Sequence, residues 1–206
     1  MNLEAFTRER IIEDVAKLQY LYKLKEVTRY DISRLETDNT ESVAEHLYGM
    51  HLLAQYFLPL EDPKCTLDHA RIYRLITIHD FDEIETGDYI SYIKTDVHRI
   101  ESEQALPIVL AQVPEHIKES VTALSTEYET QASAEASFVK AIDKIEPLLQ
   151  VYNEKGRAIL SRNKCTAEDS LRIKSKYIEH VPFIKVFALT LHQILIDGGY
   201  YWQEGK

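Results

Sequence analysis

Residues 8–25 read RERIIEDVAKLQYLYKLK, and Ile11, Ile12, Val15, Leu18, Leu21 and Tyr22 recur there at steps of three and four. Side chains at that spacing stack on one side of an α-helix, so the stretch predicts an amphipathic helix. The same reading extends along the chain. A second helix is expected to start near Thr40 to Ser42, capped by Asn39 or Thr40. Its inner face carries Val43, Leu47, Met50, Leu53, Ala54 and Phe57, and Pro59 and Pro63 close it. Asp68 caps a third helix that runs to Asp80. Further helices are expected over residues 97–112, 115–129, 133–153, 168–180 and 182–196. Pro182 suits the first turn of the last one, and Gly198-Gly199 suits its end. Residues 27–39 lose the period and read as a loop, and residues 83–95 as a loop or a short distorted helix.

The chain has 206 residues with only 6 Gly and 6 Pro, too few for a loop-rich all-β fold. No repeat, low-complexity tract or long linker divides it. The expected fold class is all-α, a single-domain helical bundle over residues 1–206. With 45% hydrophobic and 28% charged residues, intrinsic disorder is excluded. The net charge of −10 argues against coating a nucleic acid polymer, since that affinity comes from Lys and Arg on phosphates. A small phosphorylated ligand remains compatible with it, given local cations or a bound metal. No apolar run approaches the ~20 residues of a membrane span, and Met1 to Arg10 is charged and unlike a signal peptide. Cys65 and Cys165 cannot make a disulfide framework or a thiolate metal site. A cytoplasmic chain without membrane partners is the expectation.

Eight histidines are present, and His79 is set apart by its setting. The mostly apolar run Leu75-Ile76-Thr77-Ile78 delivers His79-Asp80, an imidazole and a carboxylate, the mixed ligand set that suits first-row divalent ions. Glu83 lies one helical turn beyond His79, and Asp88 comes directly after Gly87 in a turn. A carboxylate so placed can move protons, although Asp82, Glu83, Glu85 and Asp88 also read as a solvated acidic loop. His46 falls at the edge of the second helix's apolar stripe, where a core histidine with one hydrogen bond competes with a ligand. Asp143 interrupts the apolar helix Phe138-Val139-Lys140-Ala141-Ile142-Asp143-Lys144-Ile145 and shares a face with Glu146. A carboxylate there needs a cation, which a metal or the neighbours Lys140 and Lys144 can supply.

Taken together, His46, His79-Asp80 and Asp143 lie on three separate helices that can converge inside a bundle on one ion. This series resembles the HD-domain metal-dependent phosphohydrolases, and among them the 5′-deoxynucleotidase group. The matching segments are Glu41-Ser42-Val43-Ala44-Glu45-His46, then His79-Asp80 with Glu83 and Gly87-Asp88, then Glu127-Tyr128-Glu129-Thr130-Gln131-Ala132-Ser133-Ala134-Glu135-Ala136 running on to Asp143. The resemblance covers about residues 20–150, which leaves residues 155–206 as a C-terminal helical extension. It implies an HD-type bundle in which His46, His79, Asp80 and Asp143 hold a single divalent cation, with Mn, Co, Mg, Zn, Fe and Ni not distinguished. It further implies that Glu83 orients or protonates around the attacking water, that Asp88 is a second acid near the sugar, and that Arg29 grips the 5′-phosphate. The tryptophan that relatives carry near that arginine is replaced here around Ile32, which leaves the sugar preference open. The activity implied is release of phosphate from nucleoside 5′-monophosphates, deoxyribonucleotides foremost. Alternatives are hydrolysis of a nucleoside di- or triphosphate or an alarmone, and a non-catalytic metal-binding dimerisation module. The many apolar residues of residues 183–195 suit either a homodimer surface or a last core helix.

Overall fold

Capping chemistry decides where the helices begin. The computed structural model describes residues 7–30 and 40–204, so Ile32 and the cap expected at Asn39 lie outside the described residues. Thr7 caps α1 (Arg8–Leu21), its hydroxyl accepting from the Arg10 N–H, and a 3₁₀ turn over Tyr22–Lys25 comes next. The second helix, α2 (Val43–Glu61), begins where the sequence places it but is capped by Ser42 rather than by Thr40. Ser42 accepts from the Glu45 N–H while the Glu45 carboxylate accepts from the Ser42 N–H, a reciprocal capping box that typically stabilises a helix start by ~1 kcal/mol. Asp68 caps α3 (His69–Ile78), as the sequence suggests. Beyond it lie α4 (Glu83–Thr86), α5 (Asp96–Ala111), α6 (Glu115–Thr130), α7 (Ala134–Val151), α8 (Gly156–Arg162), α9 (Ala167–Arg172), α10 (Ser175–Ile178) and α11 (Pro182–Asp197). Among the described residues there is no β-sheet, only a single antiparallel bridge between Thr28 and Ser42. The fold is all-α, as expected. No helix among the described residues is long and apolar enough to cross a membrane.

The core is organised around α7, which buries Phe138, Val139, Ile142, Ile145 and Leu148 against α2, α3 and α11. Those partners contribute Met50 and Phe57, Ile72 and Leu75, and Ile184 and Leu195. Truncating any one of these large side chains to Ala is worth about 2–5 kcal/mol. The bridge at Thr28 is extended by two backbone bonds, Arg29 N–H to Glu41 O at 2.9 Å and Val43 N–H to Val27 O at 2.9 Å. They lay residues 27–29 against the start of α2 and so bring Arg29 beside Glu41.

Several boundaries differ from the sequence reading. Pro59 does not close α2, which continues to Glu61, because a proline near the last turn forfeits only its own N–H bond. The single helix expected over residues 168–180 is two short ones, and α8 escapes the sequence reading because its seven residues are too short to establish a period. The apolar stripe of α1 faces outward: Ile12 is 60% exposed and Val15 45% exposed, while the residue that α1 buries is Asp14, paired with Arg10 at 2.9 Å. The main packing partner of α1 is the 3₁₀ turn at its end, not the core helices.

Candidate metal centre

The capping box places His46 in the first turn of α2, fully buried. Its Nδ1 lies 2.7 Å from Glu146 Oε2 on α7. His79 is the residue that ends α3, and its Nδ1 lies 2.9 Å from the carbonyl of Ile76. A carbonyl oxygen and a carboxylate oxygen both accept, so each ring holds a hydrogen on Nδ1 and turns Nε2 to the opposite side. Neither Nε2 has a hydrogen-bond partner, although both are buried. Around them stand carboxylates: Asp80 Oδ2 is 3.1 Å from His79 Nε2 and 4.0 Å from His46 Nε2, and Asp143 Oδ1 is 3.6 Å from His46 Nε2. Ligand atoms of His46, His79 and Asp143 lie within 4.8 Å of one another, and a second such group joins Glu41, His46 and Glu146. Two buried ring nitrogens facing two carboxylates leave a polar gap that fits a divalent cation of the borderline kind.

The charges around the gap are set by neighbours. Burial pushes the Asp143 carboxyl up, but Lys144, His46 and Lys140 outweigh it and hold it well below the ordinary carboxylate range. Lys144 Nζ lies 2.9 Å from Asp143 Oδ2, and that oxygen also accepts from the Tyr128 hydroxyl at 3.0 Å. The ion pair that the sequence allows is therefore present, on the opposite oxygen from the one that faces His46. Asp80 behaves likewise: burial raises its carboxyl and His79 more than offsets that, so it stays ionised. For His46, burial and Arg29 lower the pKa, while Glu146 and Asp143 together lift it to about 9.

Helix α3 does not continue to Glu83. The chain turns at His79 and restarts as α4, with the Glu83 N–H bonded to Asp80 O at 3.1 Å. Glu83 is buried and its Oε2 has no hydrogen-bond partner. Burial, then the nearby Asp80, Asp88 and Asp82, push its carboxyl well above the ordinary range. Gly87 ends α4 with φ of +72°, a conformation that favours glycine, and the chain then returns Asp88 toward Arg29. Asp88 Oδ2 accepts from the Tyr30 N–H at 2.7 Å, and its Oδ1 lies 3.9 Å from Arg29 Nε. Arg29 is itself buried; its Nη1 donates to Glu41 at 3.1 Å and to Glu146 at 3.3 Å, and its Nε has no hydrogen-bond partner.

All seven residues singled out from the sequence thus converge on one region. Six of them, all but the sealed His46, line a cleft of about 1130 Å³, just above the ~300–1,000 Å³ usual for small-molecule sites. Lys94, Lys140, Lys144 and Lys176 line the same cleft, which gives an acidic chain a local source of positive charge. Glu146, Glu41 and Tyr128 also belong to the cluster, and the sequence reading assigns them no role. The one signal for Glu146 is its position three residues after Asp143, on the same face of an apolar helix.

A family profile described as "HD domain" matches residues 21–185. That match runs past the region of about residues 20–150 covered by the motifs. The human protein named 5′-deoxynucleotidase HDDC2 is 35% identical over 136 residues, which are 65% of this chain and 64% of that protein. The chain thus spans just under two thirds of that relative's length. The fission yeast protein named 5′-deoxynucleotidase hdd1 is 32% identical over 145 residues, covering 66% of this chain and 69% of its own. A Dictyostelium discoideum protein named 5′-deoxynucleotidase HDDC2 is 30% identical over 179 residues, covering 82% and 91%. Among solved structures, a predicted metal-dependent phosphohydrolase from Magnetospirillum magnetotacticum superposes with a TM-score of 0.77 at 22% identity, covering 94% of this chain and 99% of that one. This likeness concerns the fold.

Proposed function

Since this chain belongs to the HD domain family, we propose that it is a cation-dependent phosphohydrolase releasing phosphate from nucleoside 5′-monophosphates, deoxyribonucleotides foremost. The observation that carries the reading is the pair of buried, unpartnered Nε2 atoms of His46 and His79 facing Asp80 and Asp143, beside the buried Glu83. The names of the human, fission yeast and Dictyostelium relatives support the same substrate class.

In this reading His46, His79, Asp80 and Asp143 hold one divalent cation, whose identity a mixed nitrogen and oxygen ligand set leaves to availability. Such an ion supplies a water of lowered pKa and neutralises charge on the phosphoryl group. The chain's own residues do the rest. Arg29, on the wall of the cleft, brings its guanidinium charge to the 5′-phosphate, while Glu41 and Glu146 hold Nη1 and Asp88 stands 3.9 Å from Nε. Glu83, whose carboxyl burial and the acids around it push well above the ordinary range, is the group beside the ion site placed to supply a proton. As water attacks phosphorus and the P–O5′ bond breaks, Glu83 gives that proton to the departing O5′ of the nucleoside. Asp88 faces the sugar side of the cleft.

We further propose a homodimer through α11, whose outer face exposes Phe183, Val186, Leu189 and Ile194. Light scattering on the purified chain tests it, and a monomer at micromolar concentration overturns it.

The activity is tested by phosphate release from ribo- and deoxyribonucleoside 5′-mono-, di- and triphosphates, using chelator-stripped protein with one cation added back at a time. Cation-dependent release confined to monophosphates supports the reading. Release from di- or triphosphates, or from an alarmone, reassigns the substrate. Cation uptake without turnover of any phosphate ester points instead to a metal-binding dimerisation module.

A further inference from the structure

One oxygen, Oε2 of Glu146, lies 2.7 Å from Nδ1 of His46 and 3.3 Å from Nη1 of Arg29, and all three side chains are buried. The route by which Glu146 reaches them is also particular. It crosses from α7 to α2 over Gly49, and a Cβ built at Gly49 would stand 2.8 Å from Glu146 Oε1 and 3.2 Å from its Cγ. Side chains do not approach a Cβ so closely, so the bare backbone at Gly49, three residues after His46, is the floor on which the carboxylate rests. The next residue, Pro147, has no N–H to give the Asp143 carbonyl, so the regular helical bonding is interrupted in the turn that bears both Asp143 and Glu146.

We propose that Glu146, seated on Gly49, is a positioning residue that fixes the ligand His46 and the phosphate-binding Arg29 in a single frame. The inference rests on the metal-site reading above and deepens it. By accepting from Nδ1, the carboxylate holds the His46 hydrogen away from the ion site, keeps the Nε2 lone pair aimed into it, and stops the ring from turning. By accepting from Nη1 with the same oxygen, it holds the guanidinium in place beside Asp88. Ion binding and phosphate binding therefore share one carboxylate, and a change there moves both.

The test compares the wild-type chain with Glu146→Gln, Glu146→Asp and Gly49→Ala. Co(II) affinity and the visible absorption of bound Co(II) are measured alongside helical circular dichroism and steady-state kinetics. With Glu146→Gln, Co(II) binding weakens about 10- to 100-fold and the visible band shifts, while the helical signal is kept. At saturating Co(II) the KM for the nucleotide rises about tenfold, from loss of the charged bond to Arg29. Glu146→Asp recovers part of the Co(II) affinity, which a role in packing alone would not produce. Gly49→Ala touches neither the ion nor Arg29, and weakens Co(II) binding in the same direction by dislodging Glu146. It also keeps the question answerable if a Glu146 variant fails to fold. Co(II) affinity and spectrum unchanged in a folded Glu146→Gln chain, or in a folded Gly49→Ala chain, overturn the inference while leaving the metal site standing. A wild-type chain that takes up no Co(II) overturns the metal-site reading itself, and this inference with it.

Discussion

The imidazoles of His46 and His79 meet edge to face with centroids 5.8 Å apart, each bonded through Nδ1 and each with an idle, buried Nε2. A folded chain leaves buried polar atoms without partners at a cost of about 1–3 kcal/mol apiece. A bound cation removes that cost and so stabilises the fold. Adding a suitable divalent ion at a hundredfold above its Kd should stabilise the chain by ~2.7 kcal/mol, and chelation should reverse it. In Asp80→Ala the ion-induced rise in Tm should disappear and turnover should fall at least about 100-fold, with the metal-free Tm near that of wild type. Calorimetry with and without ion checks this. An equal rise in both chains would place the ion elsewhere.

Binding that ion competes with a proton. Glu146 and Asp143 lift the His46 pKa to about 9 against burial and Arg29, so in the absence of a cation the ring is protonated at neutral pH. The proton must leave before Nε2 can ligate. Below about pH 9 the apparent affinity should therefore rise with pH, approaching tenfold per unit for this single proton. Isothermal titration with Mn(II) at pH 6, 7 and 8, in buffers of differing ionisation heat, reads both the slope and the proton release. A flat profile would mean that His46 is already neutral.

Much of the candidate metal site is legible in the sequence because ligand chemistry is selective. Few residue types can hold a divalent ion, and His46, His79, Asp80 and Asp143 stand out for it, although a core histidine and an ion pair with Lys140 and Lys144 compete at His46 and Asp143. The resemblance to a family then joins them. Helix existence is equally legible, since the 3.6-residue period is local. What covers an apolar face is not local: Ile12 and Val15 mark a stripe correctly, yet the chain places it outward and turns Asp14 in. Glu146 is hidden for another reason. The sequence offers only a face shared with Asp143, and the approach of α2 over Gly49 is what brings it to His46. The cap of α2 falls at Ser42 because it depends on a reciprocal bond with Glu45, while the Thr40 hydroxyl accepts from Arg162.

Glu83 offers a prediction that separates chemistry from ion binding. Its carboxyl is raised well above the ordinary range by burial and by Asp80, Asp88 and Asp82, so it keeps its proton to higher pH than an ordinary carboxyl does. If the proton is the one delivered to O5′, activity falls on the alkaline side as Glu83 ionises. Glu83→Gln should lower kcat about 10²–10⁴-fold, retain ion affinity, and erase that alkaline limb. Rate-against-pH profiles of both chains decide the matter. A limb that persists in the Gln variant assigns it to another group.

Lys174 carries a prediction about stability rather than catalysis. It is 5% exposed, and its ammonium donates to the Ser170 carbonyl at 3.1 Å and hydroxyl at 2.9 Å. Burial lowers its pKa from 10.5 to about 8, with Cys165 acting in the opposite direction. The sign depends on which state holds the proton. Below pH 8 the ammonium is charged in both folded and unfolded chains, and the folded chain bears the full cost of burying it. Between about pH 8 and 10.5 the folded chain releases the proton first, and that cost fades. A shift of this size corresponds to about 3 kcal/mol, from which two lost hydrogen bonds subtract ~1 kcal/mol each. Lys174→Met, whose thioether is one atom shorter than the lysine chain and fits within the space it leaves, should thus gain about 1–2 kcal/mol at pH 7. The advantage should shrink as the pH approaches 10.5. Urea unfolding at pH 7 and pH 9.5 measures it, and a variant less stable than wild type at pH 7 would show that the bonds to Ser170 outweigh the buried charge.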